Sequence, residues 1–259
     1  MPTCPEPPRS APGGKPYSRH CRDRTSVPGE NVACVGEREG VAGPGVHWSL
    51  IIPVKHLGLA KSRLAPALGR RREALALAFA CDTVAAALAC PAVAEVLAVT
   101  DDPRAGAELA ALGATVVAGE PGTGLNPALE HGARTALLRA PGAGVCALSA
   151  DLPALRPAEL GRVLTAAARH GRSFLADAPG VGTTLLAAAP GHPLSPAFEG
   201  ASRERHLAAG ARELPLAGVE SVRRDVDTPA DLAAALELGV GPRTRAVAAD
   251  LFQYGPGAL

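Results

Sequence analysis

From Trp48 onward, apolar residues gather into short unbroken runs, and longer stretches of mixed character separate them. The runs "WSLIIPV", "EVLAVT", "ATVVAG" and "GVCALS" are too short for helices and predict buried strands. Between them, "REALALAFACDTVAAALA", the segment from Pro103, "NPALEHGARTALLR" and "PAELGRVLTAAARH" predict helices. Alternation of this kind implies a single doubly wound α/β domain with a mostly parallel sheet. Further along, the pattern loosens. Candidate strands stand at "SFLADA" and "TTLLAA", followed by a short helix after Ser202, a strand running into Asp225, and a helix from Pro229. No internal repeat is evident.

Residues 1–47 hold eight Pro and seven Gly with almost no apolar periodicity. Such a segment cannot bury enough surface to offset the entropy of ordering, so it reads as a disordered tail. The domain is expected over 48–242, with a C-terminal tail over 243–259. The chain has 259 residues, 47% of them hydrophobic and 20% charged, enough to bury a sizeable core. Its formal net charge of +1 and the lack of a dense Lys/Arg run exclude the electrostatic footprint of a nucleic-acid or anionic-membrane binder. Small molecules are the expected partners. Six cysteines without a C-x-x-C pair, and no secretory leader, read as reduced thiols in the cytoplasm. No apolar run approaches the roughly 18 residues of a membrane span.

In a doubly wound sheet, ligands bind beyond the carboxyl ends of the strands, so the residues after each run carry the chemistry. After the first comes "PVKHLGLAKSRL". The chain uses Arg 23 times and Lys only three times, yet Lys55 and Lys61 both fall here, beside Arg63. Flexible point charges suit a triphosphate; a solvated loop is the alternative. In "GEPGTGLNPALEHG", Asn126 is placed to cap the next helix or to read a base or ribose. "ADLPAL" sets Asp151 just past an apolar run, facing the crevice unless it is a plain turn residue. Asp101 or Asp102 is expected to cap the helix from Pro103, and His131, His170 and His206 read as surface or core residues.

The stretch "RRDVDTPADL" combines two jobs. Thr228, Pro229 and Asp231 form a helix start, with Asp231 at the capping-box position. Asp225 and Asp227 alternate with Val226, so an extended chain points both carboxylates to one face. Two like charges so close call for a cation between them, unless they are a solvated strand end. Neither a G-x-x-x-x-G-K-[ST] loop nor a G-x-S-x-G elbow is present.

Taken in order, "IIPVKHLGLAKSRL", "GTGLNPALEHGA", "LSADLPAL", "GVGTTLLAA", "SRERH" and "RRDVDTPADL" resemble the phospholactate/phosphoenolpyruvate guanylyltransferases of deazaflavin coenzyme F-420 biosynthesis. The resemblance covers roughly Leu50 to Gly241. It implies a GT-A-like nucleotidyltransferase fold, and Mg2+ held by Asp151, Asp225 and Asp227. It further implies contacts from Thr184, Gly200 and Ser202 to a phosphorylated three-carbon acid, phosphoenolpyruvate or 2-phospho-L-lactate. GTP would meet Lys55, Lys61 and Arg63, and a homodimer is the candidate assembly. One position departs from the family pattern, in which glycine directly follows the phenylalanine before that serine. Here Phe198 is followed by Glu199, and only then by Gly200. Two rival readings are a related nucleotidyltransferase acting on a sugar phosphate or a molybdenum cofactor, and a non-catalytic nucleotide-binding regulator. The first would be expected to carry a Gly-rich loop where "PVKHLGLAKSRL" stands; the second would not need three metal aspartates.

Overall fold

The computed structural model describes residues 46–61, 64, 69, 71–119 and 124–253. Most of the expected tail over 1–47, together with Arg63, Gly122 and Thr123, lies outside the described residues. Seven strands form one sheet: β1 Trp48–Pro53, β2 Val93–Val99, β3 Thr115–Val117, β4 Gly144–Leu148, β5 Arg172–Ala176, β6 Thr183–Ala188 and β7 Arg212–Glu213. Their order is β3-β2-β1-β4-β6-β5-β7, and β6 alone runs against the rest. β1 pairs in parallel with both β2 and β4, which makes it the centre of the doubly wound part.

The apolar runs are continuous because helices cover both faces. On one face, Leu50 and Ile52 of β1 meet α1 (Arg71–Leu88), α2 (Pro103–Ala111), α4 (Pro157–Ala167) and the short α6 (Glu220–Arg223). On the other, Ile51 meets α3 (Leu125–Arg139) and the loop residues Leu194 and Phe198. α3 lies close on the sheet because Gly132 has no side chain; a Cβ there would come within 2.6 Å of Ile51 Cγ2. A third apolar cluster joins Phe79 of α1 to Val226, to Leu232 of α7 (Pro229–Leu238), and to Val240. The remaining helices are α5 (Ser202–Ala208) and α8 (Pro242–Gln253). None of the described helices is long and apolar enough to cross a membrane.

Three local expectations differ from the structure. No strand runs into Asp225: α6 ends at Arg223, and residues 224–227 are irregular extended chain, with Val226 N–H donating to the Asp151 carbonyl at 3.1 Å. Asn126 does not cap α3, which begins one residue earlier, after Gly124, with no side-chain cap. The stretch from 243, expected as a tail, holds most of α8, whose first turn is capped from α1. The Asp82 carboxylate accepts from Arg243 N–H at 3.2 Å and Thr244 N–H at 2.7 Å. Asp102 does cap α2, and Thr228 and Asp231 form a complete capping box on α7.

Candidate active site

At the carboxyl ends of β1 and β4 lies a cleft of about 360 Å3, bounded by Pro53–Lys55, Leu57, Leu59–Lys61, Leu125, Ser149–Asp151 and Asp227, and by Ala76 and Ala80 of α1. Each wall is fixed from elsewhere in the chain. The Thr83 hydroxyl of α1 donates to the Ala150 carbonyl at 3.2 Å and accepts from Leu152 N–H at 3.1 Å, which pins the turn carrying Asp151. Arg72 reaches from α1 to the Gly58 carbonyl at 2.6 Å and to that of Ala60, holding the loop after β1. Asp102 has a second duty there: besides capping α2, its carboxylate accepts from Leu57 N–H at 2.9 Å. Burial opposes the Asp102 charge, but the N–H groups of Ala105, Leu57 and Arg104, with His56 beside them, keep its carboxyl below the usual aspartate range.

Lys61 is the centre of the site. Its ammonium bridges Asp151 and Asp227, donating to Asp227 Oδ1 at 2.8 Å and in close contact with Asp151 Oδ2. Only 10% of the Lys61 side chain is exposed, against 22% for Asp151 and 49% for Asp227. Burial works against the charge, but the two facing carboxylates outweigh it and hold the ammonium above the usual lysine range. The Lys61 backbone stands at φ 53°, a left-handed conformation that a side-chain-bearing residue rarely adopts, so the bridging position is reached at some local strain. Asp225 completes the acidic group. Burial first, then the charges of Asp151, Asp227 and Asp177, push its carboxyl up to about 7, against the attraction of Lys61. No hydrogen-bond donor among the described residues reaches the Asp225 side chain.

Magnesium is implied by the sequence resemblance, and the donor set fits it. Three carboxylates and no thiol or imidazole make an oxygen-only set suited to a hard cation, which would relieve their mutual repulsion. Among the described residues, no three such groups have converged to a metal-binding cluster. Lys61 instead stands as the cation between two of them.

Of the predicted site residues, Lys55, Lys61, Asp151 and Asp227 line the cleft and Asp225 adjoins it. Lys55 is exposed. Thr184, Gly200, Ser202 and Asn126 do not line it. Thr184 adjoins the cleft through its backbone, whose carbonyl accepts from Ser149 N–H at 2.9 Å, while its hydroxyl is fully buried without a partner. Ser202 opens α5, and its N–H donates to the Gly200 carbonyl at 2.8 Å. Asn126 clamps the segment before them: its amide oxygen accepts from Phe198 N–H at 2.8 Å and its NH2 donates to the Phe198 carbonyl at 3.2 Å.

His206 of α5 holds the same segment from the other side. It accepts from Ala197 N–H through Nε2 at 3.0 Å, which leaves the proton on Nδ1, 3.0 Å from the Thr183 hydroxyl. Its ring meets that of Phe198 edge-on at 5.0 Å. Glu199, where the family pattern has glycine, lies at φ 81° between these anchored residues and Gly200.

Several contributors escaped sequence reasoning. Asp177 lies near enough to bias Asp225, and its carboxylate accepts from Val181 and Gly182 N–H in the β5–β6 turn. Its place at the carboxyl end of "SFLADA" was the available signal. Thr83 and Arg72 sit inside a helix pattern and gave none.

Residues 48–249 match the family described as guanylyl transferase CofC-like. The chain is 65% identical over 211 residues to a phosphoenolpyruvate guanylyltransferase of Thermomonospora curvata, covering 82% of this chain and 92% of the relative. It is 64% identical over 211 residues to one of Streptomyces coelicolor, covering 81% and 100%. Among solved structures, it resembles a candidate nucleotide-diphospho-sugar transferase of Desulfovibrio desulfuricans G20. There the TM-score is 0.58 at 16% identity, over 80% of this chain and 97% of that one. A nucleotidyl transferase of a Methanothermobacter species aligns with a TM-score of 0.50 at 21% identity, over 75% and 98%. These two likenesses place the sheet and its helices in the nucleotide-diphospho-sugar transferase type of fold.

Proposed function

The chain belongs to the CofC-like family of guanylyl transferases, and we propose that it transfers GMP from GTP to phosphoenolpyruvate with release of pyrophosphate, in the biosynthesis of coenzyme F-420. The observation that carries this reading is the acidic group Asp151, Asp225 and Asp227, gathered about Lys61 at the mouth of the cleft. The names of the relatives at 65% and 64% identity support the reaction and its acceptor. 2-Phospho-L-lactate is the alternative acceptor, since it shares the carboxylate and phosphate.

Both substrates are anions, so the chemistry is first a matter of charge. Asp151, Asp225 and Asp227 would hold magnesium, which when bound supplies neutralisation of phosphate charge at the reacting centre. The acceptor phosphate is already ionised at pH 7, so its oxygen can attack the α-phosphorus of GTP without a general base. The bond that breaks joins that phosphorus to the bridging oxygen of the departing pyrophosphate. Lys55 and Lys61 offset charge on the triphosphate, a role for which Lys61 must exchange its carboxylate partners for phosphate oxygens. Arg63 is assigned the same role. The resemblance assigns Thr184, Gly200 and Ser202 to the acceptor, although none of the three lines the cleft and the Thr184 hydroxyl is buried, and Asn126 acts there indirectly, by fixing the segment that leads to Gly200.

Pyrophosphate release tests the reading. With GTP and magnesium, release is expected only when phosphoenolpyruvate or 2-phospho-L-lactate is added, and faster with phosphoenolpyruvate in direct competition. Predominant formation of the saturated lactyl product would overturn the choice of acceptor. Turnover with a sugar 1-phosphate and neither acid would overturn the function.

A further inference from the structure

At the pole of the sheet opposite the cleft lies a second cavity, of about 520 Å3, and its lining is one-signed. Arg169 and His170 follow α4, Arg172 opens β5, His192 lies in the loop after β6 and Arg212 opens β7, with Gly171, Pro193 and Gly210 between them. β5 runs in the same direction as β1 and β4, so its first residue faces away from Asp151. No carboxylate lines the cavity.

That composition is unusual for this molecule. The chain as a whole carries a formal net charge of +1, whereas this lining holds three guanidinium groups and two imidazoles. Elsewhere, four guanidinium groups meet acids closely, Arg139 with Glu95 at 2.9 Å, Arg156 with Glu159 at 3.1 Å, Arg203 with Glu213 at 2.9 Å and Arg243 with Glu108 at 2.7 Å, while others, such as Arg162, Arg223 and Arg245, meet backbone carbonyls. Among the described residues, Arg169, Arg172 and Arg212 meet none. Like charges held around one concavity without counter-charge repel, and that repulsion is relieved by a bound anion.

The site is also partly ordered in advance. The Arg172 guanidinium donates to the Ala209 carbonyl, and the His192 ring lies against Gly171, where a Cβ would come within 2.6 Å of Nε2. His192 Nδ1 is 3.3 Å from the Pro190 carbonyl.

We propose that this cavity is a second anion site, separate from the cleft, that takes a small molecule bearing two or more adjacent phosphates. Guanidinium forks match phosphate oxygens in pairs. Three of them, spread over the end of α4 and the starts of β5 and β7, suit charge distributed along a phosphate chain better than a single phosphate. Free pyrophosphate and the phosphate chain of a nucleotide share this chemistry.

The test is calorimetric titration of the full chain, in the presence of a metal chelator, with pyrophosphate, GTP and orthophosphate in turn. The comparison protein is Arg169→Ser/Arg212→Ser; both side chains are exposed, so the change opens no core cavity. An unchanged melting temperature is its control. Pyrophosphate affinity is expected to fall at least tenfold in the variant. A parallel loss for GTP would assign the site to nucleotide phosphates, and loss for pyrophosphate alone to the free diphosphate. Equal pyrophosphate affinity in the two proteins, or no binding to the parent, would overturn the proposal. Orthophosphate bound as tightly as pyrophosphate would overturn its restriction to adjacent phosphates.

Discussion

His206 offers a direct test of how α5 is held. The imidazole is 1% exposed and serves as acceptor for Ala197 N–H, a contact that protonation of Nε2 would abolish. Burial first, and then the nearby positive charges of Arg172 and Arg205, push its pKa down to about 4. In the unfolded chain the same group titrates near 6.5. Between these values the unfolded state binds the proton and the folded state does not, so stability falls as pH drops from about 6.5 to 4. A difference of about 2.5 pK units corresponds to about 3 kcal/mol at full protonation of the unfolded chain. Urea unfolding measured from pH 7.5 to 4 on the parent and on His206→Gln isolates this contribution, because Gln can bond at the same positions without titrating. Other groups titrate in the same window and in both proteins, so the informative quantity is the difference between the two curves. The parent is expected to lose about 3 kcal/mol more than the variant across the range. Parallel curves would show that His206 is not held neutral and would refute the assigned tautomer and its bond to Ala197.

Other outcomes follow from the acidic group and its clamp. Lys61→Met leaves Asp151 and Asp227 without their ammonium; for partly exposed groups this should lower stability in a chelator by about 1–3 kcal/mol, with recovery on adding magnesium, read as melting temperature in the two buffers. Equal melting temperatures of parent and variant in chelator would refute it. Asp151→Asn and Asp225→Asn are each expected to abolish GTP-dependent pyrophosphate release; near-parental turnover at saturating magnesium would remove that residue from the metal set. Without metal, Asp225→Asn should leave the melting temperature unchanged or higher, since it removes like-charge repulsion, whereas Asp151→Asn gives up the ion pair with Lys61 and should lower it. Asn126→Ala leaves the Phe198 N–H and carbonyl without their partner, so a loss of about 1–3 kcal/mol is expected, with a raised KM for the acid acceptor and an unchanged KM for GTP. A raised KM for GTP alone would instead make Asn126 a nucleotide contact.

The apolar runs were sufficient to determine six of the seven strands and the parallel centre of the sheet, because a strand buried on both faces must be apolar throughout. Local sequence also fixed the caps at Asp102 and at Thr228/Asp231, whose partners lie within three residues. Asp151 was legible because strand ends point to the ligand side in this type of sheet, and Lys61 because the chain uses so few lysines; Asp225 and Asp227 were read from their alternation, although no strand carries them. What the sequence could not determine depends on partners far along the chain. α8 is capped by Asp82, more than 160 positions away, so its start carries no local signal. Asn126 looked like a helix cap because its position allowed one, and only packing brought Phe198, 72 positions away, to its amide. The ammonium of Lys61 between two carboxylates, and three arginines around one cavity, are likewise products of tertiary proximity, since charge acts across space and is blind to sequence separation.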